Sequence, residues 1–221
     1  MARITTGRLA GPAGPIEYTL NLADATTLPG RQLEGSALVC HPHPLYGGTM
    51  HTRIVFHTAQ VLMEQGLAVL RFNFRGVGAS AGGYDHGRGE QEDVLAAMHW
   101  LREHHPGPVT LAGFSFGASM VARLVARLEL AEVARAVLLG LPVGRARAED
   151  PLPAVWTWQG PKIMLSGGSD EFAPVADLEA YFAALAEPKA RRWIEGGDHF
   201  MAGHIAEFRQ ALTALLLSSA R

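Results

Sequence analysis

The residues with the clearest chemical capacity are Gly113-Phe114-Ser115-Phe116-Gly117, a serine with glycine two positions to either side. The apolar run Val109-Thr110-Leu111-Ala112 precedes it, and a segment of helical period opens near Ala118. A strand, a sharp turn and a helix in succession lift a serine hydroxyl above a sheet, and side chains at 113 and 117 would collide with the neighbouring strand and helix. Glycine at both positions removes that collision. The plainer reading is a glycine-flanked serine that caps a helix. The preceding strand and following helix are independent requirements of an exposed nucleophile, and the sequence meets both.

A serine hydroxyl attacks poorly at neutral pH, so it needs a histidine base and an acid that fixes the histidine tautomer. The expected chain order is Ser, acid, His. Gly167-Gly168-Ser169-Asp170-Glu171 follows the apolar run Lys162 to Ser166 and places Asp170 at the carboxyl end of a strand. Glu195-Gly196-Gly197-Asp198-His199-Phe200 follows Ala190 to Ile194 and places His199 in a glycine-built loop at the same edge. Asp150 and Glu171 are rival acids. Asp198 is expected to brace its own loop, because a sequence neighbour reaches the far nitrogen of His199 poorly.

An oxyanion hole requires two backbone donors. The N–H of Phe116, directly after the nucleophile, supplies one. The second is expected in His41-Pro42-His43-Pro44-Leu45-Tyr46, where the two prolines carry no N–H and leave His43, Leu45 and Tyr46. His43 is the expected donor. A competing reading pairs His41 with His43 as metal ligands, with His199 or His204 as a third; the prolines break the strand alternation that would point both rings one way. Gly76-Val77-Gly78-Ala79-Ser80-Ala81 matches a dinucleotide fingerprint, but Gly82-Gly83-Tyr84-Asp85-His86-Gly87 prolongs the loop where that fingerprint needs a helix. There is no Gly-Lys pair for a phosphate loop. Neither cofactor nor metal is expected.

Positioning these groups falls to an alternation of apolar runs and helix-period segments, which is how parallel βαβ units read. Strands are expected over Ser36 to Cys40, Leu67 to Phe74, Val109 to Gly113, Ala136 to Leu141, Lys162 to Ser166 and Ala190 to Ile194. Helical stripes run through Met50, Ile54, Val55, Val61 and Leu62, through Val94, Met98 and Leu101, and through Met120, Leu124 and Leu128. Further helices are expected over Val175 to Leu185 and through Ile205, Phe208, Leu212 and Leu215. The first 34 residues, with alternating Ile16-Glu17-Tyr18-Thr19-Leu20, suit antiparallel edge strands. The expected fold is one α/β domain over residues 1–221, a doubly wound, mostly parallel sheet sandwiched by helices. In such sheets ligands sit beyond the carboxyl ends of the strands.

The chemistry has few competitors in the composition. With 48% hydrophobic and 18% charged residues over 221 positions, the chain can build a large core. A net charge of −2 with scattered Lys and Arg argues against nucleic-acid binding. Cys40 is the only cysteine, so no internal disulfide forms and a reducing compartment fits. The opening MARITTGRLAGPAG has no apolar core of a signal peptide, and no membrane span is indicated. A cytoplasmic protein is expected, with a homodimer left open.

Together HPHPLYGGTM at 41–50, RFNFRGVGASAGGYDHGRGEQED at 71–93, GFSFGA at 113–118, SGGSDEFAP at 166–174 and GGDHF at 196–200 resemble the α/β-hydrolase superfamily. The resemblance is to its small, lid-poor branch near dienelactone-hydrolase-like bacterial serine hydrolases. It implies Ser115 as nucleophile, Asp170 as acid and His199 as base, with His43 at the variable position of the H-G-x-P oxyanion segment. Pro42 stands where glycine is usual, and serine replaces the cysteine of dienelactone hydrolases proper. About twenty residues between Leu141 and Pro161 are too few for a helical lid. An open site is expected, lined by Leu45, Tyr46, Phe114, Phe172 and Phe200, with Trp156 and Trp158 able to fold over it. The expected activity is metal-independent hydrolysis of small carboxylic esters with short to medium acyl chains. A thioesterase, amidase or acyltransferase would use the same triad, and a non-catalytic binding scaffold is the reading from another class.

Overall fold

Strands that read as unbroken apolar runs need cover on both faces, and the computed structural model supplies it. The structure describes residues 3–23, 33, 35–127, 131–144, 152–153 and 158–218. Among the described residues eight strands form one sheet: β1 (Arg3–Gly11), β2 (Gly14–Leu22), β3 (Ser36–Cys40), β4 (Ala68–Phe72), β5 (Val109–Phe114), β6 (Val133–Leu139), β7 (Lys162–Gly167) and β8 (Lys189–Ile194). Their spatial order is β1-β2-β4-β3-β5-β6-β7-β8. From β4 to β8 the pairing is parallel, and the β1-β2 hairpin joins antiparallel through Tyr18–Asn21 against Val69–Phe72. The helices are α1 (Arg53–Glu64), α2 (Arg88–His104), α3 (Phe116–Arg127), α4 (Val175–Ala184) and α5 (Ile205–Ser218).

Alternation along the strands divides the core into two layers. Leu38 and Cys40 of β3, Leu70 and Phe72 of β4, and Leu111 of β5 point to the face covered by Val94 and Met98 of α2, Val121 and Leu124 of α3, and Leu178 of α4. Ala37, Val39, Val69, Ala112, Val137 and Ile163 point to the other face, covered by Ile54, Val55 and Leu62 of α1 and Phe208 and Leu212 of α5. Full burial of a leucine such as Leu38 or Leu111 stabilises the fold by about 1.5–3 kcal/mol. Among the described residues no helix is long and apolar enough to cross a membrane.

The order β4-β3-β5 matters most for the site. The chain leaves β3 for β4 on one side and reaches β5 on the other, so the strand order reverses between β3 and β5. That reversal opens a crevice beyond their carboxyl ends. Met50 departs from the helical stripe expected through it: α1 begins at Arg53, and Met50 lies in the preceding loop. Its N–H donates to Asn73 Oδ1 at 2.8 Å, and its carbonyl accepts from Arg71 Nη1 at 2.9 Å. Buried polar partners on and just past β4 hold that backbone out of the helix.

Candidate active site

Ser115 is the single residue between the end of β5 and the start of α3. Its φ of 54° lies in the left-handed region, which costs a non-glycine residue about 1–3 kcal/mol. The backbone is pinned on both sides of this strained point. The Ser115 N–H donates to the Leu139 carbonyl at the end of β6 (2.9 Å), and the Ser115 carbonyl accepts the Ser119 N–H of α3 (3.1 Å). The flanking glycines are steric necessities: a Cβ at Gly113 would enter the backbone of Gly117, and a Cβ at Gly117 would enter the carbonyls of Cys40 and His41 at the end of β3.

Asp170 and His199 arrive from the ends of β7 and β8. Both are buried, and His199 Nδ1–H donates to Asp170 Oδ2 at 2.7 Å, which leaves Nε2 as the nitrogen available for proton transfer. Asp170 is itself oriented by the Ser166 hydroxyl at Oδ2 (3.2 Å) and the Phe172 N–H at Oδ1 (2.9 Å). The His199 ring lies beside Phe114, the residue before Ser115, with centroids 4.9 Å apart, and next to Gly140, where an added Cβ would meet it. No hydrogen bond joins Ser115 Oγ to His199 in this conformation; such bonds commonly tighten when substrate binds. Asp198 accepts the Ala202 N–H at 2.8 Å and so braces its own loop. Asp150 lies outside the described residues, and Glu171 is exposed.

Phe116 opens α3, and the first N–H groups of a helix have no partner within it. Opposite stands the loop after β3. Leu45 N–H donates to His43 Nδ1 at 3.2 Å, and Tyr46 and Gly48 N–H both donate to the His43 carbonyl at 3.1 Å. The Leu45 and Tyr46 N–H groups are therefore engaged inside the loop. His41, fully buried, ties the loop down: Phe74 N–H donates to its Nε2 at 3.0 Å, so its Nδ1 carries the proton and donates to the Pro42 carbonyl at 2.6 Å. Burial pushes its pKa down from 6.5 to about 4, and the ring stays neutral at pH 7.

Aromatic side chains pack on His199 and on His43. Phe172 and Phe200 contact the His199 ring at 4.8 and 5.1 Å between centroids, and each is about half exposed. Across the crevice Tyr46, Tyr84 and Phe116 gather around His43 at 4.7–5.0 Å. Leu45 and Tyr46 are exposed. One expectation is corrected, and one open position is decided. Phe114 is 1% exposed and backs His199 and Phe200 instead of presenting a surface. Trp158 is packed into the core, near the amino end of β7, with Lys162 Nζ over its ring at 5.4 Å, so it does not cover the site. Trp156 lies outside the described residues.

Sequence reasoning passed over Tyr84 and Ser166 and weighed His41 only as a metal ligand. Tyr84 sits in a loop where Gly76, Gly78, Gly82, His86 and Gly87 all have positive φ, so no periodicity marks it. Ser166 could have been inferred, since a buried carboxylate needs donors. Among the described residues no cluster of three or more His, Cys, Asp or Glu is arranged to hold a metal ion. In the fingerprint-like loop, donors at the start of α2 are taken by the protein's own carboxylates. Asp85 and Gly87 N–H donate to Glu90, each at 2.8 Å, and Gly89 N–H donates to Asp85 at 3.1 Å.

Known proteins resemble this chain in sequence and fold. The family described as alpha/beta hydrolase domain matches residues 38–211. The uncharacterized protein RP471 of Rickettsia prowazekii is 33% identical over 220 residues, covering 94% of this chain and 87% of that protein. XC6422 from Xanthomonas campestris, an α/β serine hydrolase without lid, is 32% identical with a TM-score of 0.84, covering 98% of this chain and 94% of that one. An α/β serine hydrolase homologue from Coxiella burnetii is also 32% identical, with a TM-score of 0.82 and coverage of 96% and 97%. The strand order, the strained turn at Ser115 and these relatives agree: the chain belongs to the α/β-hydrolase superfamily.

Proposed function

We propose that this protein is a metal-independent serine hydrolase, a carboxylesterase that cleaves short to medium acyl esters through an acyl-enzyme on Ser115. The observation that supports this reading is the 2.7 Å bond from His199 Nδ1 to Asp170 Oδ2, taken together with a serine held at φ 54° between β5 and α3. That bond fixes the neutral tautomer whose Nε2 can accept a proton. Ser115 Oγ attacks the ester carbonyl as its proton passes to Nε2. Charge then develops on the carbonyl oxygen, which the N–H groups of Phe116 and His43 stabilise, each such donor being worth about 3–4 kcal/mol in the transition state. The carbon–oxygen bond to the alcohol breaks as Nε2 returns the proton to the departing oxygen. Water, deprotonated by His199, releases the acid and regenerates Ser115.

A panel of acetyl to decanoyl esters tests the reading. Hydrolysis by the wild type, its loss in Ser115→Ala, an optimum at short or medium chains and no change with EDTA are the expected results. Equal turnover by wild type and Ser115→Ala would overturn it.

A further inference from the structure

The rings packed on His199 meet one particular half of an ester. Nδ1 is committed to Asp170, so Nε2 must take the Ser115 proton and then deliver it to the departing oxygen. At that moment the oxygen lies within hydrogen-bond reach of Nε2, about 3 Å. Whatever the oxygen carries therefore starts beside the imidazole and runs over its neighbours. Those neighbours are Phe172 and Phe200, 4.8 and 5.1 Å from the His199 ring, 48% and 53% exposed. The oxyanion turns the other way, toward the start of α3 and the loop after β3, where the rings around His43 include the hydroxyl-bearing Tyr46 and Tyr84.

Charge narrows the choice. Residues 166–174 and 195–204, which build this side, contain no Lys or Arg, and Glu171, Glu195 and Asp198 are exposed within them. The charged carboxylates of these two segments would repel a phosphorylated or carboxylated leaving group. Two half-open phenyl rings instead match an uncharged ring, which gains from burial and from edge or offset packing.

We infer that Phe172 and Phe200 form a leaving-group subsite that selects esters of uncharged arylalkyl alcohols, a specificity that rests on the hydrolase reading above. The test compares kcat/KM for ethyl, benzyl and 4-carboxybenzyl acetate, and for ethyl acetate against ethyl phenylacetate. The wild type should favour benzyl over ethyl acetate by about tenfold or more and should disfavour the carboxylated ester. Phe172→Ala and Phe200→Ala should each shrink the benzyl-to-ethyl ratio about threefold to tenfold, while the phenylacetate-to-acetate ratio holds. Phe172→Leu and Phe200→Leu preserve apolar bulk without the ring and should lose part of the preference. A benzyl-to-ethyl ratio that no variant changes, or a shift in the acyl ratio alone, would overturn the subsite and leave the hydrolase reading standing. Failure of the wild type to hydrolyse any of the four esters would overturn both.

Discussion

Acid should weaken this fold through His41, and the size of the effect follows from its burial. Both ring nitrogens bond to backbone groups, the Phe74 N–H and the Pro42 carbonyl, and burial holds the folded-state pKa at about 4 against 6.5 when the ring is free in water. Because the folded pKa lies below the unfolded one, the unfolded chain binds the proton first. Stability is then complete above about pH 6.5 and is lost as pH falls toward 4. Each pH unit across that gap is worth about 1.4 kcal/mol, so the whole gap amounts to roughly 3 kcal/mol. A His41→Leu variant lacks the titration and leaves the buried Phe74 N–H unpaired, at a cost of about 1–3 kcal/mol at pH 7. Urea unfolding of both proteins at pH 7, 6, 5 and 4 measures the difference. The wild type should lose its advantage, or fall below the variant, by pH 4. Parallel stability curves across the window would refute the linkage.

Other perturbations test separate parts of the site. Asp170→Asn removes the acceptor that fixes the His199 tautomer, and kcat should fall on the order of a thousandfold to ten-thousandfold with little change in KM; steady-state kinetics on one ester suffice. Gly117→Ala forces a methyl into the carbonyls of Cys40 and His41, so thermal unfolding should show a loss of about 1–3 kcal/mol or failure to fold. Cys40 is fully buried, and burial raises its thiol pKa well above the usual range, so iodoacetamide should modify it only in denaturant, as read by intact mass.

Much of the site could be read in the sequence because chemistry and fold use the same residues. Ser115, Asp170 and His199 each stand past the end of an expected strand, among glycines, and parallel strands bring those ends to one edge whatever the helices do. The limits of β3 coincide with the expected strand, and α2 starts at Arg88, directly after the glycine-rich loop expected to run through Gly87. What escaped depends on contacts across the chain. Met50 fits a helical stripe by spacing, yet Asn73 and Arg71 hold its backbone outside α1. Trp158 could be placed over the site or in the core with equal ease from its loop, and only the packing near Lys162 decides for the core. The role of His41 rests on the Phe74 N–H, which sequence distance conceals.

The central claim is that Ser115 is the nucleophile, and a fluorophosphonate probe followed by intact and peptide mass spectrometry tests it most directly. The account predicts one adduct per chain, located on the peptide carrying Ser115, absent from Ser115→Ala and greatly slowed in a His199→Ala variant. An unlabelled wild type, or an adduct that persists in Ser115→Ala, would contradict it.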